Sequence, residues 1–266
     1  MVDGSELAFR MMCRKYGATL AYTPMLRAHE ILRQFDTNGT HSTEKNATPA
    51  PARPLADQPL VVQLCGNDPS ELARAASLLV SHYDGTLVGI DLNLGCPQEI
   101  AAKENIGAFL AAHHPALACQ CITALKEAVQ GRCRVSCKIR LVSPSSDECG
   151  ECDDKCDECD DVCGATLLFA RQLVAAGVDL IAVHVRRRED KHNGPPDLHT
   201  AQVLVEALSI PVVVNGGIAT KEQAVHVLKV TQCHAVMVAQ GTFLNVLSPI
   251  VLDFSRCSLR DEGRRW

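Results

Sequence analysis

Short runs of β-branched and other apolar residues recur along the chain. Each is followed by a polar or glycine-bearing linker and then by apolar positions at helical spacing. The runs are Thr19–Thr23, Leu60–Cys65, Val88–Asn93, Val135–Ile139, Leu180–His184, Val212–Asn215 and Ala235–Ala239, and each predicts a strand. Stretches such as Ser5–Tyr16, Pro69–Val80, Ala165–Ala176 and Thr220–Val230 predict helices. Strands alternating with helices imply parallel βαβ units, and a run as apolar as Pro211-Val212-Val213-Val214 suits a strand covered on both faces. Seven units in series point to an α/β fold of the (β/α)8 TIM-barrel type more than to an open sheet. The first strand of such a barrel is lacking, because the first predicted helix begins at Ser5. The expectation is that this strand is encoded upstream of Met1.

Two segments break the alternation. Residues 38–59 are rich in Thr, Pro, Ala and Asn and read as a disordered insert. Residues 142–163 hold Cys149, Cys152, Cys156, Cys159 and Cys163 among Asp and Glu, and read as an acidic low-complexity insert after the Val135–Ile139 strand. Cysteine spacing of this kind can bind zinc, but structural zinc pairs are normally separated by a longer stretch, so no metal site is assigned. The rest is one barrel domain over residues 1–256 with a short tail, residues 257–266.

Charge changes meaning once it is located. The net charge is −5, yet residues 147–161 alone carry nine carboxylates against one lysine. The remainder is mildly basic, which suits an RNA partner without requiring one. No run of about 18 apolar residues predicts a membrane span, and the first residues lack the layout of a secretory leader. Fourteen cysteines without such a leader read as reduced thiols, hence a cytoplasmic or nuclear setting.

Polar side chains gather at the C-terminal ends of the predicted strands, the active-site face of a barrel. Gln63 ends one, Asn93 and Cys96 follow the next, and Lys138 and Arg140 close a third. His184, Asn215-Gly216-Gly217 and Gln240-Gly241 end the last three. Any one of these fits an ordinary rim residue or turn; their recurrence at the same end does not. Glycines let backbone N–H groups approach phosphate oxygens, and barrels commonly bind phosphate after their last two strands.

The segment Asp91-Leu92-Asn93-Leu94-Gly95-Cys96-Pro97-Gln98 strongly resembles the signature of the tRNA-dihydrouridine synthase family. Ser5–Leu26, Val61–Pro69, Cys137–Arg140 and Val213–Ile218 match the same family in the same order. The form of the two central motifs is most similar to the eukaryotic branch acting at tRNA positions 16 and 17. The resemblance implies an NAD(P)H-dependent flavin oxidoreductase that converts uridine in tRNA to 5,6-dihydrouridine, with no DNA target. It implies FMN as cofactor and NADPH or NADH as reductant. Gln63, Lys138 and His184 would contact the flavin, and Asn215, Gly216, Gly217, Gln240 and Gly241 would hold its phosphate. Met1 would match the methionine of a flavin-contacting Ala-Pro-Met. Reduced flavin would send a hydride to C6 of the base and Cys96 a proton to C5, a general-acid role. Asn93, Arg140 and Arg186 are the candidates on the substrate side.

Several positions depart from the family pattern. Ala102–Gly107 differs in the loop flanking Cys96. Val185 stands where the family has glycine, which predicts added bulk beside the ligand. A helical tRNA-gripping domain is expected to be absent after the barrel. The acidic insert is expected to repel tRNA phosphates. Two other readings therefore stay open, a truncated non-catalytic paralogue with at most RNA binding and another FMN barrel acting on a small pyrimidine.

Overall fold

The computed structural model describes residues 4–37, 57–83, 85–144, 161–239 and 241. Its strands are β1 (Ala21–Tyr22), β2 (Leu26–Arg27), β3 (Leu60–Cys65), β4 (Leu87–Leu94), β5 (Arg134–Leu141), β6 (Leu180–Arg187), β7 (Val212–Asn215) and β8 (Ala235–Met237). Its helices are α1 (Leu7–Lys15), α2 (Ala28–Thr37), α3 (Pro69–Tyr83), α4 (Glu99–Lys103), α5 (Ala108–His113), α6 (Pro115–Val129), α7 (Val162–Ala175), α8 (Leu198–Ala207) and α9 (Lys221–Thr231). All strand pairs are parallel, in the order β1-β3-β4-β5-β6-β7-β8, with β2 also on β3. This is the (β/α)8 TIM-barrel architecture, and the described residues fill seven of its eight strand positions. Among the described residues no strand lies between β8 and β1.

The predicted strand Thr19–Thr23 is shorter than expected and continues as β2 after a break. Pro24 supplies no N–H, so the ladder cannot run through it. Thr23 fills the gap, donating its backbone N–H to the Val61 carbonyl at 3.0 Å and accepting the Gln63 N–H on its hydroxyl at 3.0 Å.

Strand alternation sorts the side chains into two environments. Leu64, Ile90, Leu92, Val135, Cys137, Ile139, Ile181, Val183, Val185 and Val214 join the main apolar cluster with helix residues such as Leu79, Leu125 and Leu173. The intervening residues face the barrel interior. Val185 therefore packs outward, with no exposed surface. The expectation that it crowds a ligand is corrected: its strand neighbours His184 and Arg186 carry the inward face.

The expected boundaries of the acidic insert also change. Val162 and Cys163 belong to α7, whose N-terminus is capped by Asp161 accepting from the Gly164 N–H at 2.8 Å. The Thr166 hydroxyl accepts from the Val142 N–H at 2.9 Å and donates to the Val162 carbonyl at 2.6 Å, tying the exit of β5 to the first turn of α7. Cys149, Cys152, Cys156 and Cys159 lie outside the described residues, as do most of residues 38–59, Met1 and the tail.

Helix α1 is fastened to the base of β3 by a buried ion pair. Arg10 contacts Asp57 at 2.6 Å, and Arg14 reaches the same carboxylate at 3.5 Å. Removing the buried Asp57 charge would leave the buried Arg10 guanidinium without its counter-ion, a costly arrangement.

Candidate active site

Inward positions of β3, β4 and β5 form one hydrogen-bonded chain across the barrel floor. The Ser136 hydroxyl donates to one oxygen of Asp91 at 2.6 Å, and Gln63 Nε2 donates to the other at 2.8 Å. Asn93 Nδ2 donates to Gln63 Oε1 at 3.0 Å. Asn93 Oδ1 accepts from the backbone N–H groups of Gly95 at 3.1 Å and Cys96 at 2.9 Å. The pairing register brings these residues side by side, with Gln63 opposite Asp91, Asp91 opposite Ser136 and Asn93 opposite Lys138.

The chain of bonds ends at the loop that carries Cys96. That side chain is 9% exposed and sits in a small cluster with Cys65, Ala101 and Ile106, against Met25 and Phe109. Gly107 wraps over it. At φ +60° a side chain is strained, and a Cβ there would lie 2.9 Å from Cys96 Cβ, so only glycine fits. The Ala108 N–H closes the wrap on the Cys96 carbonyl at 3.1 Å. The altered sequence Ala102–Gly107 thus still builds a closed flank, partly through helix α4, and Asn67 Nδ2 donates to the Glu104 carbonyl beneath it at 3.0 Å.

Lys138 faces the same space. Burial and the neighbouring Arg140 charge push its ammonium down to about 8, against the pull of Asp91 and Cys96. It remains a cation at neutral pH, and no described residue hydrogen-bonds it. Burial pushes the Asp91 carboxyl up to about 6, with Ser136, Gln63 and Lys138 opposing. Tyr22 is driven far above the usual phenol range by burial and by Asp91.

The expected substrate cations are largely occupied by the protein itself. Arg140 donates to the carbonyls of Gly95 at 2.9 Å, Arg187 at 3.0 Å and Lys191 at 2.7 Å, and is 4% exposed. It braces the Cys96 loop against the loop after β6. Arg186 donates twice to the Gly194 carbonyl, at 2.9 and 3.0 Å, and lies 3.3 Å from His184 Nε2. Burial first, then Lys138, Arg140 and Arg186, push the His184 imidazolium far below its ordinary range. His184 is therefore neutral, and His192 lies beside it with its ring tilted by 31° and the centroids 6.0 Å apart.

The glycine turns after β7 are built for close approach. Gly216 and Gly217 have φ of +119° and +69°, and a Cβ on Gly216 would meet His184 Cδ2 at 2.8 Å. Among the described residues nothing accepts from the N–H groups of Gly217 and Ile218. Asn215 Nδ2 donates to the Met237 carbonyl at 2.8 Å, locking β7 to β8. Gly241 backs onto the Ile218 carbonyl, where a Cβ has no room. Gln240 lies outside the described residues.

The strand ends bring Gln63, Asn93, Cys96, Lys138, Arg140, His184, Arg186 and Asn215 to one mouth. Asp91, Ser136, Tyr22 and Cys65 belong to the same interior and were not expected. Period-two alternation from Asn93 to Asp91 was the available signal for the first. Cys65, its thiol pushed up to about 12 by burial, stands against Cys96. Among the described residues no group of three or more His, Cys, Asp or Glu could hold a metal ion.

A family model described as Dihydrouridine synthase matches residues 1–256. A Mus musculus protein named tRNA-dihydrouridine(16/17) synthase-like is 35% identical over 247 residues, covering 92% of this chain and 45% of that protein. The tRNA-dihydrouridine(16/17) synthase of Saccharomyces cerevisiae is 35% identical, over 92% of this chain and 52% of its own length. A Mus musculus tRNA-dihydrouridine(20a/20b) synthase-like protein is 34% identical, over 92% of this chain and 66% of its own. All three names carry NAD(P). The chain spans about half the length of the first two relatives. FabK from Thermotoga maritima superposes with TM-score 0.51 at 13% identity, over 93% of this chain and 61% of that one, a likeness of fold alone.

Proposed function

Because the chain belongs to the dihydrouridine synthase family, we propose that it reduces uridine in tRNA to 5,6-dihydrouridine, with Cys96 as proton donor. The names of its relatives support tRNA as substrate and NAD(P)H as reductant, and uridines 16 and 17 as the first targets to test. A cytoplasmic or nuclear setting goes with this reading.

The interior fits FMN. A half-buried cation that no described residue hydrogen-bonds, Lys138, suits an anionic ring system, and the positive-φ turn at Gly216–Gly217 offers to a phosphate N–H groups that no described residue accepts from. Gln63, Lys138 and His184 would line the ring, and Asn215, Gly216, Gly217 and Gly241 the phosphate. When bound and reduced, FMN supplies the hydride for C6.

The residues of the chain supply the remaining steps. Cys96 holds a proton on Sγ and releases it at C5 as negative charge builds on the base. General acid help of this sort is worth about 10²–10⁴-fold. Asn93 fixes the height of the loop through the Cys96 N–H, while Arg140 braces it from the other side. The closed flank Ala101–Gly107 excludes water from the thiol. A uracil entering this mouth must leave its stack, which is least costly in a loop of the RNA.

The observation that carries the reading is the position of Cys96: clamped by Asn93 at the barrel mouth, within electrostatic reach of Lys138 and Arg140. The test is a purified protein given unmodified tRNA and NADPH, with dihydrouridine mapped by nucleoside mass spectrometry. A yellow protein that forms dihydrouridine supports the proposal; a colourless protein that forms none removes it.

A further inference from the structure

We propose that Asp91 is a positioning residue that fixes one end of the series of side-chain amides leading to the Cys96 loop, the Gly95 and Cys96 N–H groups fixing the other. A carboxylate only accepts hydrogen bonds, whereas each amide has one donating and one accepting end. Ser136 occupies one Asp91 oxygen, so Gln63 must present Nε2 to the other. Its Oε1 then faces Asn93 and fixes Nδ2 toward Gln63. Asn93 is left with Oδ1 for the Gly95 and Cys96 N–H groups. Reversing either amide sets two donors or two acceptors against each other.

Asp91 is fully buried and Gln63 nearly so, which leaves no bulk water to absorb a mismatch. The series is held between two kinds of group that cannot be reversed, the Asp91 carboxylate at one end and the Gly95 and Cys96 N–H groups at the other. Gln63, between Asp91 and Asn93, has only one sense that satisfies both neighbours. The Gln63 amide placed for the flavin and the loop that carries the thiol thus belong to one polarised series with its charge at Asp91. The consequence for turnover rests on the proton-donor role proposed above; the consequence for geometry does not.

The groups facing Asp91 are Tyr22 from β1, Gln63 from β3, and Ser136 and Lys138 from β5, while the Cys137 thiol, coupled to it electrostatically, packs on the outward face of β5. Since burial holds the carboxyl up at about 6, the series loses its charged origin as pH falls through that value.

The test uses the full chain and reverses the polarity. Asn93→Asp removes the donor to Gln63 and breaks the series. Adding Asp91→Asn rebuilds it backwards, with the new amide donating to Gln63 Oε1 and Gln63 Nε2 donating to the new carboxylate. The first readout is the rate at which N-ethylmaleimide labels Cys96, followed by peptide mapping without flavin or tRNA. The single variant Asn93→Asp is expected to change that rate by about tenfold, and the double variant to return it to within about threefold of the parent, a coupling of the size neighbouring groups show. Dihydrouridine formation should fall in Asn93→Asp and recover in the double variant, in parallel with the labelling. A step in parent labelling near pH 6 should vanish in Asp91→Asn. If the double variant labels no differently from Asn93→Asp alone, the relay is wrong. If the labelling pattern holds but the parent makes no dihydrouridine, the relay stands and the proposed activity falls.

Discussion

Below His184 and Asn215, the inward positions of β6–β8 are made of the opposite material to those of β3–β5 in the same barrel. On the first side Leu180, Ala182, Val213 and Ala235 form a dry cluster, closed above by Met237. On the second, Gln63, Asp91, Ser136, Asn93 and Lys138 place charges and amides at the same depth. Apolar packing lowers the free energy of the fold directly. A desolvated carboxylate and ammonium raise it unless paired, and here both are shifted toward neutrality. One half of the interior holds the barrel together, and the other is maintained for what enters from above.

Substitutions in the two halves should therefore separate stability from activity. The largest effect is expected at Cys96. Cys96→Ala should cut dihydrouridine formation by about 10²–10⁴-fold while the protein still binds flavin, read by absorbance and nucleoside analysis. Next comes the dry side. Leu180→Ala should cost about 2–5 kcal/mol in denaturant unfolding, with activity per folded molecule largely kept. Gly216→Ala tests the border, since its positive φ and the contact with His184 should cost about 1–3 kcal/mol and weaken flavin binding. Lys138→Met should do the reverse of Leu180→Ala. Removing a half-buried cation that no described residue hydrogen-bonds should raise thermal stability by about 0.5–2 kcal/mol and lower flavin affinity.

The smallest effect is a pH slope. The folded Asp91 carboxyl sits at about 6 against an ordinary 3.8, so between these values the folded state binds more protons than the unfolded. Its contribution to stability is present below pH 3.8 and is lost as pH rises through about 6. Unfolding midpoints of parent and Asp91→Asn across pH 4–7 should differ in slope with that sign. Equal slopes would mean the carboxyl is not desolvated.

Much of this division could be read from the sequence and some could not. The seven predicted runs all contain observed strands, because buried parallel strands advertise themselves as β-branched blocks. Cys96, Lys138 and His184 stood out because polar groups at strand ends lack a packing reason. Val185 was misjudged because its place in the alternation, facing helices, outweighed the family comparison. Asp91 was overlooked although it lies two residues before Asn93, since a buried acid reads as improbable until its partners on two other strands are known. Arg140 looked like a free cation for the same reason, as its three carbonyl partners lie about fifty residues away in either direction. The pairing of Arg10 with Asp57 spans 47 positions and leaves no local trace.

The tie between Val142 and Thr166 has a practical side. It holds the exit of β5 and the first turn of α7 at a fixed spacing. The entropy of closing a flexible connection between two fixed points grows only with the logarithm of its length. Cargo of quite different size, from an epitope tag to a whole reporter domain, could be spliced between these posts with little strain on the architecture beneath.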